Sequence, residues 1–427
     1  MRILYSGLWY ALMPALFLRL WWRGRRAPAY RARWRERLAL GLPRQPGHTV
    51  WVHAVSVGET LAAAPMIREL LARHPATPLV VTTTTPTGSE QVQKLFGDQV
   101  LHVYCPWDTP DALARFFRAF NPALVLILET ELWPNLVAAA AARHVPVWLV
   151  NGRLSERSFR GYHRFRALVR PMMQRFAGLM VQTEAEAERL QRLGAPAERI
   201  DVTGSVKFDL QLDDDIRAGA QALRSQWGAR PIWIAASTHP GEEAQVLAAH
   251  RQICAELPET LLILVPRHPE RFDEIARQVT QAGFTLARRS SGQPVAADVQ
   301  VYLGDTMGEL LMLFGTCDVA FVGGSLVTLG GHNLLEPAAW GKPVLSGPNR
   351  FNFERIAELL EGNNALITVD DASALAVAVS ALLADAERCS RTGEAAQAVV
   401  AAHSGALARV LATLDQVWPQ RPAGREN

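Results

Sequence analysis

The chain has 427 residues, of which 49% are hydrophobic, so it is long enough for two domains of ordinary size, each with its own buried core. The net charge of +3 hides an asymmetry: residues 1–48 carry ten arginines and one acid, Glu36, whereas the rest of the chain carries a net −6. Positive charge confined to one end of the chain indicates a surface that faces anionic lipid rather than one that binds nucleic acid. The four cysteines have no paired spacing, which argues against a zinc site and fits a reducing compartment.

The first predicted element is an apolar helix. Residues 3–22 are apolar except for Arg19 and small or polar residues, and 20 helical residues extend roughly 30 Å, the thickness of a bilayer core. Arginines follow this run directly, which predicts that the next domain is cytoplasmic and makes a cleaved signal peptide a poorer fit. We expect residues 1–25 to form a single-pass membrane anchor. A helix lying in the membrane interface is the alternative, because Pro14 and Arg19 interrupt the run. No second apolar run is long enough to span.

From His48 onward, short apolar runs alternate with helical patterns, as in βαβ units with buried parallel strands. The predicted strands are 50–54, 79–83, 100–104, 124–128, 147–150, 179–182 and 200–203, then 232–236, 261–265, 299–303, 319–322, 343–345 and 366–369. A polar stretch near Asp213 separates the two series. The pattern predicts two doubly wound α/β domains facing across a cleft, over residues 26–210 and 211–419, with a loose tail at 420–427.

Ligands of doubly wound sheets bind at the carboxyl ends of strands, where this chain has several charged residues. In the first half, Glu59 follows Gly58 at a predicted helix start, which favours its ionised form and suits a general base. A plain capping acid is an equally good interpretation. Glu129 and Glu131 directly follow an apolar strand, where carboxylates are costly unless they bind something. The chain has three lysines and 41 arginines, so the lysine at position 207 is unusual. Lysine carries a more compact charge than arginine, which suggests that this position requires such a charge.

Three motifs of the second half follow successive strands and suggest nucleotide binding. ASTHPGEE (236–243) places Ser237 and Thr238 for a phosphate contact, PRHPER (266–271) presents Arg267 and His268, and GDTMGEL (304–310) offers glycines that allow backbone contact with a base edge. No acid pair has the D-x-D spacing of a metal-dependent sugar transferase. The sequence therefore predicts a metal-free mechanism, with no cofactor.

Residues 318–348 carry the most distinctive pattern of the second half. An apolar run ends in GGS (323–325), a second glycine pair follows at 330–331, and a helix-like start comes at His332. Such a layout is typical of a phosphate site, because glycines let the backbone approach an anion and free helix N–H groups stabilise it. Glu336 in the first turn is placed to accept both ribose hydroxyls, or else to cap the helix. The full run favours a nucleotide site.

Residues 153–176 form a basic amphipathic segment. Arg157, Arg160 and Arg164 recur at helical spacing between aromatic residues. Such a surface can rest on anionic lipid or hold a phosphorylated acceptor, and a solvated basic face over an ordinary core is the alternative.

Taken together, the motifs resemble one family. WVHAVSVGET, TTTTPTGSE, ILETELWPN, NGRLSERS, VTGSVKFD, PRHPER, GDTMGEL and GGHNLLEPAAWGKPV look like the 3-deoxy-D-manno-octulosonic acid (Kdo) transferases of lipopolysaccharide assembly. The resemblance runs from about Leu4 to Phe353; Gly152 departs from it, since the family has alanine there. It implies a GT-B fold, an N-terminal anchor at the cytoplasmic face of the bacterial inner membrane, CMP-Kdo as donor and a lipid A precursor as acceptor.

The resemblance also implies roles for individual residues. It makes Glu59 the base, with Glu129 and Lys207 assisting the transition state. It assigns the CMP site to Arg267, His268, Met307, Gly308, Glu309, Asn333, Leu334, Leu335 and Glu336. Two other readings remain open at this stage: a related enzyme that uses a UDP-sugar, as a transferase or an epimerase, and a catalytically inactive lipid-binding scaffold.

Overall fold

The computed structural model describes residues 1–25 and 27–419, and the tail predicted at 420–427 lies outside the described residues. The described chain divides into two compact units. The first contains residues 1–206 and the segment from Ser404 onward, and the second contains residues 207–403. Each unit is built on one parallel sheet of seven strands with helices on its faces, as the alternating apolar runs predict.

The strand order of the first sheet is β3-β2-β1-β4-β5-β6-β7, and that of the second is β10-β11-β9-β8-β12-β13-β14. The strands of the first sheet are β1 (Thr49–His53), β2 (Leu79–Thr83), β3 (Leu101–Tyr104), β4 (Pro122–Leu128), β5 (Val147–Gly152), β6 (Gly178–Val181) and β7 (Ile200–Val202). The strands of the second are β8 (Ile232–Thr238), β9 (Leu261–Pro266), β10 (Leu286–Arg288), β11 (Val301–Leu303), β12 (Val319–Val322), β13 (Val344–Ser346) and β14 (Leu366–Thr368).

The α-helices of the first unit are α1 (Arg2–Arg23), α2 (Trp34–Arg37), α3 (Val57–Arg73), α4 (Pro86–Phe96), α5 (Pro110–Phe120), α6 (Pro134–Ala141), α7 (Glu156–Arg164), α8 (Arg166–Met173), α9 (Glu184–Leu193) and, at the end of the chain, α18 (Ala406–Val417). The second unit contains α10 (Asp214–Gln226), α11 (Glu242–Glu256), α12 (Phe272–Gln281), α13 (Leu310–Thr316), α14 (Leu335–Ala339), α15 (Glu354–Gly362), α16 (Ala372–Ala384) and α17 (Ala386–His403). Short 3₁₀ helices occupy Pro28–Arg31, Gly97–Gln99, Ala197–Arg199, Val206–Phe208, Pro269–Arg271 and Arg289–Ser291.

Local sequence explains where several helices begin. Ser56, Thr85, Ser155, Thr183 and Asp371 are N-cap residues whose side-chain oxygens accept a backbone N–H two or three positions into the helix. Each cap satisfies one of the free N–H groups at a helix start. Several of these helices directly follow a strand, so the caps also fix where the chain leaves the carboxyl edge of its sheet.

The last helix differs from the sequence prediction, which placed residues 211–419 in one domain. Leu407, Val410, Leu411 and Leu414 of α18 are buried in the hydrophobic cluster that also contains Ile67 and Leu70 of α3. Burial of this apolar face against the first unit outweighs proximity along the chain.

A second long apolar helical segment also departs from the prediction, which recognised one candidate span. Residues Ala386–Val417 reach the length and hydropathy of a membrane span, as does α1. However, 39% of its apolar window is buried inside the protein, whereas none of the α1 window is. The segment is broken at Ser404–Gly405 into α17 and α18, and Gly405 has φ +86°. Ala386–Val417 therefore has the burial of core helices.

Candidate active site

Each sheet has a point where successive connections leave in opposite directions, between β1 and β4 in the first unit and between β8 and β12 in the second. Ligands of doubly wound sheets bind beyond the carboxyl ends of strands at such points. Glu59 follows β1 and Glu129 follows β4, while the motif at 236–243 follows β8 and the glycine run at 323–325 follows β12. Some of the predicted site residues therefore come directly after the strands of the two switch points, whereas Lys207, Arg267 with His268, and Met307–Glu309 follow β7, β9 and β11.

Glu59 holds the loop between β1 and α3 together. Its Oε2 accepts the Val55 N–H at 2.7 Å, its Oε1 accepts the Ser56 hydroxyl at 3.1 Å, and its own N–H donates to Ser56 Oγ at 3.4 Å. This reciprocal arrangement is close to a capping box, in which a serine and a glutamate three residues later satisfy each other's ends. Glu59 therefore makes capping contacts at the helix start, and its side chain stays half-exposed at the carboxyl edge of the sheet.

The protonation of Glu59 differs from the sequence argument, which expected the helix start to keep it fully ionised. The pKa of Glu59 is raised to about 7, chiefly by burial and also by the nearby carboxylates of Glu131 and Glu129, against the lowering effect of the Val55 and Ser56 donors. Desolvation and like charges therefore outweigh the helix start. A general base works best with a pKa near the operating pH, so this environment suits proton abstraction at neutral pH.

Glu129 and Glu131 flank the turn after β4. Glu129 has φ +54°, in the left-handed backbone region that residues other than glycine rarely occupy. Its backbone N–H donates to the Val150 carbonyl at 3.0 Å. Such strain persists where the surrounding structure fixes the residue, and it clusters at functional sites. Burial raises the pKa of Glu131, and the charge of Glu129 adds to this effect. Three carboxylates, of Glu59, Glu129 and Glu131, thus share one electrostatic environment.

Lys207 is half-buried in the 3₁₀ turn Val206–Phe208, the first residue of the second unit. The residue before it is tied to the first unit, because the Val206 N–H donates to Asn151 Oδ1 at 3.2 Å. Asn151 is the residue before the last of β5, has φ +54° and is fully buried. The sequence argument did not select Asn151, whose only signal was its position at a strand end.

The glycine run after β12 does not form the free phosphate cradle that its sequence predicts. The buried carboxylate of Glu242 accepts N–H groups from Gly324 at 2.7 Å, Ser325 at 3.0 Å and Leu326 at 2.9 Å, and a fourth from His239 at 3.0 Å. The side chain is 0% exposed. The protein's own anion therefore fills the cradle, and the phosphate prediction for residues 323–325 is wrong.

Two more sequence expectations for these loops also differ from the structure. Ser237 and Thr238 are buried, and Thr238 Oγ1 is enclosed without a hydrogen-bond partner among the described residues, so neither is presented to a ligand. The helix expected soon after the glycines begins only at Leu335 and has five residues. The sequence signal that was missed is the adjacent acid pair Glu242–Glu243 at the start of α11.

The second unit nevertheless gathers cationic and imidazole groups beside this loop. The Arg267 N–H donates to the Thr238 carbonyl at 3.0 Å, which fixes Arg267 at the end of β9. The ring of His239 packs against those of His268 and His332, with centroids 5.2 and 5.0 Å away. His239 and His332 join through their Nε2 atoms at 2.8 Å, so one of the two nitrogens carries the shared proton.

The pKa of His332 is lowered to about 4, chiefly by burial and also by Arg267, His239 and His268. The pKa of His239 is also lowered, chiefly by burial. Gly324 makes room for this arrangement, because a Cβ at that position would lie 2.9 Å from the His332 ring, and its φ of +70° suits glycine. The sequence argument selected His268 but missed His239 and His332, although both lie in motifs that it singled out.

The segment Asn333–Glu336 adjoins this cluster. Asn333 Oδ1 accepts the Leu335 N–H at 3.1 Å, and its Nδ2 donates to Glu336 Oε1 at 3.0 Å. Burial raises the pKa of Glu336, while Asn333 and Arg267 partly oppose the rise. Leu334 and Leu335 are buried in the core of the unit, so any contact they make with a ligand comes from the backbone.

The segment Met307–Glu309 follows β11, the neighbour of β9 in the sheet. Met307 is 56% exposed and Gly308 has φ +89°, so this turn presents backbone and an apolar side chain to solvent. The carboxylate of Glu309 is engaged by Arg289, whose Nη2 and Nε lie 2.6 and 2.9 Å away. Only the backbone of Glu309 is therefore readily available to a ligand.

The basic segment of the first unit forms α7 and α8. Arg157, Arg160 and Arg164 are exposed, Arg160 pairs with Glu156 at 3.1 Å, and Phe159 is buried. The segment is thus a basic face over a core, and Phe165 is 57% exposed among the arginines.

Among the described residues, no group of three or more histidines, cysteines or acids is arranged to hold a metal ion.

Comparison with known proteins is consistent across sequence and fold. Residues 32–210 match the family model described as 3-Deoxy-D-manno-octulosonic-acid transferase (kdotransferase). The chain is 40% identical to 3-deoxy-D-manno-octulosonic acid transferases of Haemophilus influenzae, over 96% of this chain and 97% of the relative, and of Bordetella pertussis, over 95% and 96%. A UDP-GlcNAc 2-epimerase from Neisseria meningitidis is 16% identical with a TM-score of 0.55, over 86% of this chain and 100% of its own, and shares the fold.

Proposed function

Because this chain belongs to the 3-deoxy-D-manno-octulosonic acid (Kdo) transferase family, we propose that it transfers Kdo from CMP-Kdo to a hydroxyl of a lipid A precursor such as lipid IVA. The observation that carries the proposal is the carboxylate cluster at the first switch point. There the pKa of Glu59 is about 7 beside Glu129 and Glu131. A carboxylate with that pKa is half deprotonated near neutral pH and accepts a proton without a large penalty.

In the proposed mechanism, the Glu59 carboxylate removes the proton of the acceptor hydroxyl. The hydroxyl oxygen forms a bond to the anomeric carbon of Kdo while the bond from that carbon to the CMP phosphate breaks, and CMP leaves with the bonding electrons. Attack from the face opposite the leaving group inverts the anomeric centre, as expected for one base and no second nucleophile. Glu129 assists the transition state, and Lys207 stabilises charge that develops on the departing phosphate.

The second unit is proposed to bind the donor. Arg267 and His268 supply positive charge or N–H donors for the phosphate near Asn333, and Glu336 accepts the ribose hydroxyls, since its carboxylate is held by Asn333. Met307, Gly308 and the backbone of Glu309 contact the base. The proposed reaction requires neither a metal nor a cofactor. The membrane is reached through α1 and the basic face of α7, at the cytoplasmic side of the bacterial inner membrane.

The test is incubation of the purified chain with CMP-Kdo and lipid IVA, with the products weighed by mass spectrometry. The expected result is addition of Kdo residues to the lipid and release of CMP. A parallel incubation with UDP-GlcNAc checks the reading as a UDP-sugar enzyme. Turnover of UDP-GlcNAc, or no Kdo transfer, would contradict the proposal.

A further inference from the structure

Helix α1 is docked lengthwise on the first unit. The half-buried residues of this helix are Tyr5, Ser6, Trp9, Met13, Leu16, Phe17 and Leu20. Their spacing of three and four places them on a single face over more than four turns. A helix that crosses a bilayer would contact lipid along most of its length and would not be covered by its own globular unit on one continuous face.

Specific contacts hold this face along its length. Ser6 and Asn135 exchange hydrogen bonds at 2.9–3.2 Å, and the Tyr10 hydroxyl donates to Asp111 at 2.6 Å. Farther along the helix, the Arg31 guanidinium donates to the Trp21 carbonyl at 3.2 Å.

Aromatic contacts join the same two surfaces between these hydrogen bonds. The Trp9 ring lies 6.1 Å from that of Trp133 and 6.4 Å from that of Trp107, and the Phe17 ring lies 4.7 Å from Trp107. Spanning a bilayer would break these contacts and place the hydroxyls of Ser6 and Tyr10 in hydrocarbon without their partners, which is costly.

The opposite face of α1 is apolar and largely exposed among the residues that the structure describes. It consists of Ile3, Leu4, Leu8, Leu12, Leu18 and Trp22, which are 47–86% exposed. Clusters of exposed large apolar residues mark interaction surfaces. The charge carried by this part of the chain is positive, because residues 1–35 contain no acid and the arginines at 2, 19, 23 and 25 are exposed. The acid bonded to Tyr10, Asp111, is itself paired with Arg115 at 2.7 Å. Apolar side chains bordered by arginines suit the headgroup and acyl boundary of an anionic membrane.

We infer that α1 lies in the plane of an anionic lipid surface as an interfacial helix, with its docked face on the first unit and its outer stripe in the acyl boundary. This inference rests on the membrane attachment in the proposed function and replaces the single-pass geometry favoured by hydropathy alone. Both ends of α1 then remain on the cytoplasmic side. Trp9 of the docked face contacts Trp133, two residues after Glu131, so α1 lies beside the loop that follows β4.

That placement has a consequence for the acceptor. A lipid acceptor keeps its acyl chains in the membrane while its sugar headgroup lies at the surface. With α1 in the plane, the headgroup layer adjoins the loop that carries Glu129 and Glu131. The exposed Arg157 and Arg164 of α7 belong to the same unit and add positive charge toward phosphorylated headgroups.

The first experiment measures topology in inverted inner-membrane vesicles from cells that express the full chain with an N-terminal peptide tag and a protease site before Met1. An in-plane helix leaves the tag outside, so added protease removes it from intact vesicles. A spanning helix places the tag in the lumen, where it is cleaved only after detergent is added. Protection in intact vesicles would overturn the inference.

A disulfide test in the same membranes reports docking directly. In Ser6→Cys/Asn135→Cys the two side chains replace a hydrogen-bonded pair, so mild oxidation should link them, with the linked peptide identified by mass spectrometry. The matched control is Leu8→Cys/Asn135→Cys, because Leu8 is on the outer stripe and should not link. If neither pair links although the protein is folded, α1 is not docked. If Asn135→Cys prevents folding, the tag experiment still decides.

A third measurement tests the outer stripe. Leu8→Glu/Leu12→Glu should weaken binding to phosphatidylglycerol–phosphatidylethanolamine vesicles by roughly 10- to 100-fold, since a charge replaces apolar area that would otherwise be buried. Val377→Glu alters an exposed apolar residue of the second unit and should leave binding unchanged. Equal binding of the double variant and the wild type would contradict the lipid contact. Kdo transfer by the wild type in detergent is measured separately, so a failed activity and a wrong topology give different results.

Discussion

The carboxyl edges of the two sheets have similar topology and opposite chemistry. At the first edge, Glu59, Glu129 and Glu131 crowd together, and the pKa of Glu59 rises to about 7. At the second edge, Arg267 and His268 gather beside two further histidines, and the buried acid Glu242 is matched by four backbone N–H groups. The doubly wound sheet thus supplies a similar position in both units, while the side chains at that position decide whether it carries carboxylates or cationic and imidazole groups.

The largest expected effect concerns the proton acceptor at the first edge. Glu59→Gln keeps the shape of the side chain but removes its basicity, so we expect Kdo transfer to fall by about 10²–10⁴-fold. CMP binding, measured by calorimetry, should stay within about twofold, because the donor groups belong to the second unit. Glu69→Gln on the same helix is the matched control and should retain full activity. A Glu59→Gln enzyme with near wild-type turnover would move the base to Glu129 or Glu131.

The second edge is best disrupted at its buried acid. Glu242→Ala leaves four N–H groups without their acceptor, so we expect the free energy of unfolding to fall by at least about 3 kcal/mol, together with a loss of CMP binding. Denaturant unfolding and calorimetry provide the two measurements. Gln252→Ala changes an exposed residue of the same helix α11 and should alter neither. Unchanged stability of Glu242→Ala would mean that the loop finds other acceptors.

A smaller effect is expected from a change at Glu336, a carboxylate proposed to contact the donor rather than to hold the loop together. Glu336→Ala should weaken CMP binding by about 1.5–3 kcal/mol, the range of charge-assisted hydrogen bonds, and raise the KM for CMP-Kdo. The melting temperature should change little. Glu358→Ala, an exposed acid of α15, is the matched control. Wild-type CMP affinity in Glu336→Ala would remove this carboxylate from the site.

The smallest effect is a shift in pH dependence at the first edge. The base acts when deprotonated, so kcat/KM should rise with pH up to about 7 and level off above it. Glu131 raises the pKa of Glu59 by like charge, so Glu131→Gln should lower that midpoint by about 0.5–1 unit. Glu156→Gln, in the exposed part of α7, should leave the profile in place. A midpoint that does not move, or moves upward, would show that the carboxylates are not coupled.

Much of the fold was predictable because its signals are local. Thirteen of the fourteen strands were expected from apolar runs, with ends that differ by a few residues. The missed strand, Leu286–Arg288, is an edge strand of three residues that ends in arginine, and an edge buries too little to require an apolar run. The placement of α18 with the first unit was not predictable, since periodicity shows that a helix has an apolar face but not which core covers that face.

The candidate site also has a part that the sequence predicts and a part that it does not. The sequence by itself determined which residues follow the strands, including Glu59, Glu129, Arg267 and Glu336, because the carboxyl ends of parallel strands lie at one edge. Only the tertiary structure decided how their charges combine.

Glu242 lies more than 80 residues before the glycine run whose N–H groups it accepts, and the two carboxylates that add to the effect of burial on the pKa of Glu59 lie about 70 residues after it. Likewise, hydropathy establishes that α1 is apolar, but only packing shows which of its faces is covered. Electrostatics and burial depend on distances in space, and a single sequence records only distances along the chain.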